Sequence, residues 1–131
     1  MIIAKSYLIL SLLTSFHSVV NHQVAPQPPK IISIDSDYPR DGIWVRIPKG
    51  TKKITFYVKA EHTETVLFWL MPTGTQTWNL RELIGYDIKK GEKDNEFSLT
   101  WNVDQPSLLN HLHIQALGDG IANETINLIM E

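Results

Sequence analysis

Cysteine is absent from the 131-residue chain, which excludes disulfide bonds, thiolate zinc sites, cysteine nucleophiles and a lipidated cysteine anchor. A large excess of one charge is also lacking, because twelve Lys and Arg stand against fourteen Asp and Glu. The basic side chains between Arg40 and Lys90 are interleaved with acidic ones. The sequence therefore predicts no basic surface for nucleic acid.

Recognisable catalytic motifs are missing as well. The chain has no nucleophile elbow, no metalloprotease helix and no glycine-rich phosphate loop. Strand–helix alternation is absent too, which argues against α/β folds and their nucleotide sites. From these absences we predict that the chain is not an enzyme and uses no cofactor.

A hydrophobic segment near the N-terminus has the features of a secretory leader. Lys5 precedes a mostly apolar run over residues 7–20, like the charged and apolar regions of a signal peptide. The run is too short for a comfortable membrane span, which needs about 20 apolar residues. Residues 1–25 are therefore expected to be a signal peptide or hydrophobic leader of a secreted or cell-surface protein. An uncleaved membrane anchor and a packed N-terminal helix stay open as alternatives, since no clean small-x-small cleavage triplet follows.

Two predicted strands in the middle of the chain form the centre of the predicted fold. Residues 54–60 alternate between apolar and polar side chains, the period of a strand with one buried and one wet face. Residues 66–71 are apolar on both faces, as expected of a central strand. The short polar segment 61–65 connects the two. This pair predicts the middle of an antiparallel sandwich.

Shorter segments of the same kind surround this pair, with turn residues at regular spacing. They lie at residues 31–34, 43–47, 83–87, 97–103, 112–116 and 122–130. Residues 26–29 contain three prolines and predict a stiff linker, followed by one domain over residues 30–131. The predicted fold is all-β, an antiparallel two-sheet immunoglobulin-like sandwich of about seven strands.

The strand segments resemble those of a bacterial extracellular immunoglobulin-like domain. The segments are, in chain order, FYVKA, VLFWLMPTGT, LIGYD, FSLTWNV and HLHIQALGDG. The resemblance spans residues 30–131 and lacks the paired cysteines of antibody-type domains. It implies a spacer or binding module on the outside of the cell, without catalytic residues to carry over.

Two clusters contain metal-ligating residue types. His111 and His113 are two residues apart on a predicted strand, so both rings lie on one face and provide two of the ligands of a zinc or copper site. Asp35, Asp37 and Asp41 place three carboxylates in one predicted turn, where calcium prefers oxygen ligands. Both patterns also arise from strand polarity and turn chemistry alone, and we predict no metal.

Aromatic side chains give the remaining indication of function. Trp69 lies on the opposite strand face from Phe68, and only one of these faces meets the inter-sheet core. Trp78 stands in a polar loop without a periodic partner, and folds back over Trp69 or stands exposed beside it. In the first case the pair is a satellite core without a binding site. In the second case the pair and Tyr57, expected on a neighbouring strand, form a patch that binds protein or glycan, so Tyr57, Trp69 and Trp78 are the candidate binding residues.

The predicted function is that of a non-catalytic exported module that mediates interactions at the cell exterior or acts as a spacer. Its expected partner is a protein or a glycan, and a membrane is contacted only through an uncleaved leader. A carbohydrate-binding module that uses exposed Trp and Tyr is one alternative. A small secreted enzyme or inhibitor, which would need a polar cleft, is another.

Overall fold

The computed structural model describes residues 25–131, which fold into nine strands. The predicted leader lies outside these residues except for Ala25, which is exposed coil. No helix within residues 25–131 is long and apolar enough to span a membrane. One turn of 3-10 helix covers Trp78–Leu80. The strands are β1 (Lys30–Ser36), β2 (Arg40–Asp41), β3 (Trp44–Arg46), β4 (Lys53–Glu61), β5 (Thr65–Pro72), β6 (Glu82–Ile88), β7 (Glu96–Asn102), β8 (Leu108–Leu117) and β9 (Ile121–Met130).

The strands form two sheets that pack face to face. One sheet has the order β1-β4-β7, and the other has the order β2-β3-β9-β8-β5-β6. All pairings are antiparallel except that of β3 with β9. The order β1-β4-β7 opposite β9-β8-β5 is that of strands A-B-E and G-F-C in immunoglobulin-like sandwiches. The predicted sandwich is confirmed.

The chain crosses from one sheet to the other between β4 and β5. His62 adopts a left-handed conformation with φ 54°, and the Thr63 hydroxyl donates to the Glu61 carbonyl at 2.9 Å. The His62 carbonyl lies so close to Gly118 that a side chain there would collide with it. As a result of this crossing, β4 belongs to the three-stranded sheet and β5 to the six-stranded sheet, so the two strands are not hydrogen-bonded neighbours.

Aromatic residues of both sheets meet in the core. Phe56 of β4 and Phe68 of β5 are fully buried, with ring centroids 6.4 Å apart and an angle of 27° between their planes. Phe97 of β7 is also buried, as its alternation predicts. Trp101, predicted to lie in the core, is partly buried and packs against it. The alternation along β4 and β7 thus selects the inner face correctly.

The edge strands β6 and β7 close one side of the sandwich. The Leu99 side chain occupies the space where a Cβ atom of Gly85 would lie, so the absence of a side chain at Gly85 lets the two sheets approach. The Asp87 carboxylate accepts the backbone N–H of Ser98 at 2.8 Å. The N–H of Ser98 on the edge strand β7 is thereby hydrogen-bonded within the chain, and it does not remain available to a strand of another molecule.

Candidate binding face

The outward side of the six-stranded sheet, called the outer face below, contains a cluster of aromatic and amide side chains. On β5, Phe68 points into the core, so Trp69 points outward. The strand register places His113 of β8 beside Trp69, and Thr125 of β9 beside His113. Adjacent strands lie about 4.8 Å apart, so side chains of this row contact each other directly. The row continues toward β6, where Leu83 pairs with Trp69.

The loop after β5 returns Trp78 to this face. Gly74 (φ 116°) and Gln76 (φ 61°) adopt left-handed conformations that reverse the chain. One 3-10 turn follows, in which the N–H of Arg81 donates to the Trp78 carbonyl at 3.2 Å. The ring centroids of Trp78 and Trp69 are then 6.0 Å apart, with 58° between the planes. Trp78 is 41% exposed, whereas Trp69 is half-buried.

Arg81 lies against both indole rings. Its guanidinium carbon is 4.3 Å from the Trp78 ring centroid and 5.0 Å from that of Trp69. Both distances are within the range of cation–π attraction. Its Nη1 donates to the Trp78 carbonyl at 3.0 Å, which holds the guanidinium on the same turn as the indole it stacks on.

A hydrogen-bond network across three strands fixes the orientation of Trp69 and the tautomer of His113. The Trp69 indole N–H donates to Gln115 Oε1 at 2.7 Å. An indole nitrogen can only donate, so the amide nitrogen of Gln115 faces Asn123 and donates to Asn123 Oδ1 at 3.1 Å. The same oxygen lies 3.0 Å from His113 Nε2, which must therefore carry a proton. In the neutral ring, Nδ1 accepts from the Thr125 hydroxyl, 2.7 Å away.

His113 links this network to the exposed indole. Its ring centroid is 4.8 Å from that of Trp78, in an edge-to-face arrangement with 72° between the planes. Trp78 is thus held by Arg81, Trp69 and His113 at once. A side chain held this way loses little further conformational entropy when it binds a ligand.

The paired histidines are used for hydrogen bonding within the fold. His111 Nδ1 lies 2.5 Å from Asn127 Oδ1, and its Nε2 is within 3.2 Å of the backbone of Gly74. Together with the bonds of His113, all four ring nitrogens have protein partners. Within residues 25–131 no three His, Asp or Glu side chains are placed to hold a metal ion.

The three aspartates considered as weak calcium ligands are not gathered at one point, since Asp41 lies in a different sheet from Asp35. The Asp37 carboxylate accepts the backbone N–H of Thr55 at 2.9 Å and the Tyr57 hydroxyl at 3.2 Å. Asp35 lies on β1 opposite Tyr57, whereas Asp41 belongs to β2 in the other sheet. Asp37 therefore joins the β1–β2 connection to β4.

The prediction that Tyr57 joins Trp69 and Trp78 in one patch is wrong. Tyr57 lies on β4 in the three-stranded sheet, with 47% of its surface exposed, and Trp69 lies on β5 in the other sheet. A polar depression of about 480 Å³ surrounds Tyr57, with Lys59 and Glu96 among its lining residues. The physical reason is that β4 and β5, although consecutive in sequence, lie in different sheets.

Most side chains that support the cluster were not predicted from the sequence. Neither Arg81 nor Gln115 was singled out, and His113 was interpreted as a weak metal ligand or a solvent-facing strand residue. The available signal was alternation: His113 and Gln115 share the outward face of β8, and Asn123 and Thr125 share that of β9. Alternation does not predict the register of β5, β8 and β9, which places these side chains beside Trp69.

Comparisons with known proteins support the fold at low sequence identity. No protein-family model and no curated protein matches the chain. Among solved structures, T. fusca AA10A is similar with a TM-score of 0.50 and 13% identity over 72% of this chain and 54% of that chain. Superoxide reductase (neelaredoxin) from Ignicoccus hospitalis is similar with a TM-score of 0.51 and 12% identity over 79% of each chain. This chain thus spans about half the length of T. fusca AA10A.

At such identities the likeness shows the fold alone. It supports the β-sandwich, and no immunoglobulin-like family is confirmed. The prediction that the chain is not an enzyme is contradicted, because AA10A and superoxide reductase are both enzymes and share this fold. The error has a physical reason, since catalytic side chains placed on separate strands leave no local sequence motif.

Proposed function

We propose that this chain is an exported module that binds a glycan through the outer face of its six-stranded sheet. The observation that carries the proposal is the Trp69–Trp78 pair, in which an exposed indole is fixed by contacts on several sides. Aromatic rings of this kind stack on the apolar faces of sugar rings. The proposal rests on the site, since a fold shared with other proteins does not determine function.

The amides around the indoles complement a sugar. Gln115 and Asn123 use their oxygens within the network, which turns the Asn123 amide nitrogen away from Gln115 and His113. Thr125 is exposed next to them. Sugar hydroxyl groups both donate and accept hydrogen bonds, and pre-oriented amide and hydroxyl groups beside a stacking ring provide the partners.

Binding of purified protein to immobilised polysaccharides tests the proposal. Trp78→Ala is expected to weaken binding by at least about tenfold, because truncating an interface anchor costs about 2 kcal/mol or more. Its free energy of unfolding should fall far less than on truncation of a buried core ring, since Trp78 is 41% exposed. Tyr57→Ala is the matched control, because Tyr57 is a similarly exposed aromatic residue on the other sheet. Equal binding by all three proteins, or binding of no polysaccharide by the wild type, would contradict the proposal.

A protein partner is the second candidate, favoured by apolar side chains elsewhere on the same face. Ile88 and Ile121 are 56% and 62% exposed, and both lie at the end of the outer face formed by Thr65 and Leu117. Exposed apolar residues grouped in this way are typical of protein interfaces. If Ile121→Ser abolishes capture of a partner and Trp78→Ala does not, the interface is at this end and the glycan proposal fails.

A further inference from the structure

The outer face has an uneven distribution of charge, although the whole chain has a net charge of -2. The outward positions of β5, β8 and β9 include no Asp or Glu, whereas Asp41 and Arg46 lie on this face at β2 and β3. Arg81 adds a full positive charge beside Trp69 and Trp78. The next residue in the chain, Glu82, pairs with Leu70, whose side chain enters the core. Glu82 therefore lies on the inner side of the sheet and not on the outer face.

The guanidinium of Arg81 retains hydrogen-bonding capacity in its own plane. Its central carbon lies 4.3 Å from the Trp78 ring centroid and 5.0 Å from that of Trp69, whereas its N–H bonds point outward in the guanidinium plane. Within residues 25–131, one hydrogen bond from this group is observed, from Nη1 to the Trp78 carbonyl. The edge formed by Nε and Nη2 has two parallel N–H groups, the arrangement that receives both oxygens of a carboxylate.

We propose that the glycan bound by this face is acidic, with a sugar carboxylate paired to Arg81 while a sugar ring lies against Trp78. This inference rests on the proposed glycan-binding function and names its ligand class, a polymer that contains uronic acids. The two oxygens of a carboxylate accept both parallel N–H groups of this edge of Arg81.

Isothermal titration of the full chain with polygalacturonate, and with the same polymer after methyl esterification, tests the inference. Esterification removes the charge and keeps the sugar backbone, so the esterified polymer is expected to bind at least about tenfold more weakly. Arg81→Gln should lose a larger factor on polygalacturonate than on the ester, because it removes the positive charge as well as one of the contacts that hold Trp78. Arg81→Lys keeps the positive charge but lacks the two parallel N–H groups, so its affinity for polygalacturonate should lie between those of Arg81→Gln and the wild type. Circular dichroism of each variant checks that the fold is retained.

The possible outcomes separate this inference from the function on which it rests. If Trp78→Ala weakens binding to both polymers while Arg81→Gln changes neither, the glycan-binding function stands and the acidic ligand is excluded. Tighter binding of dextran sulfate than of polygalacturonate at equal charge would replace the carboxylate by a sulfate. If the wild-type chain binds no polysaccharide, neutral or acidic, both proposals fail together.

Discussion

On the three-stranded sheet, the exposed side chain of Tyr57 donates a hydrogen bond from its hydroxyl group to Asp37. Charged residues such as Lys59 and Glu96 surround its ring. On the six-stranded sheet, Trp78 has a similar exposed fraction and contacts Trp69, His113 and Arg81. Both residues would count equally as exposed aromatics in a surface survey. They differ in that Trp78 belongs to a preassembled cluster.

The difference shows that exposure alone does not identify a binding face. An aromatic side chain becomes a good anchor when neighbours fix its orientation, because the entropy of ordering is then lost on folding and not on binding. The outer face meets this condition through the bonds from Trp69 to Gln115 and from His113 to Thr125. Tyr57 donates one hydrogen bond to Asp37, and the depression around it is lined by charged residues.

The largest expected effect concerns the core that both sheets share. Phe56→Ala and Phe68→Ala should each lower the free energy of unfolding by about 3–5 kcal/mol, because each leaves a cavity where buried rings meet. Thr100→Ser is the control, since its hydroxyl bond to Thr55 can be kept. Urea denaturation measures all three. Equal losses for the phenylalanines and the threonine would contradict the assignment of inner and outer faces.

The next effect compares the aromatic residues of the two outer faces. Trp69→Ala should cost about 1–3 kcal/mol of stability, because a half-buried ring and its hydrogen bond are lost. Tyr57→Ala should cost about 1 kcal/mol or less, the value of one exposed hydrogen bond. Thermal unfolding by calorimetry gives the ranking. If Tyr57→Ala destabilises the chain more than Trp69→Ala, the outer face of the six-stranded sheet is not the more preassembled of the two.

The smallest effect isolates the network beneath the indoles. Gln115→Leu should cost about 1 kcal/mol, because it leaves the Trp69 N–H without its acceptor. In a Trp69→Phe background that N–H is absent, so the same substitution should cost less, and the double-mutant cycle measures the coupling. Denaturation curves of the four proteins give both values. A coupling of zero would mean that the hydrogen bond at 2.7 Å does not hold Trp69.

Sequence reasoning predicted the strands and the core but assembled the site only in part. Trp69 and Trp78 were correctly considered as a pair, because the loop that follows β5 is short. Tyr57 was placed with them wrongly, since nothing local indicates that residues 61–65 cross between sheets. Whether residues 26–29 separate a leader from the domain stays a prediction, although Pro29 is buried beside Gly118.

The sequence by itself determined the fold class and the inner faces of the strands. Alternation has a period of two residues, and the hydrophobic effect places one set inside wherever such strands pair. Only the tertiary structure decided which outward side chains meet. Trp69 and Gln115 are 46 positions apart, and Gln115 and Asn123 are eight apart. Their contacts depend on the register of β5, β8 and β9, which is set by packing and turns along the whole chain.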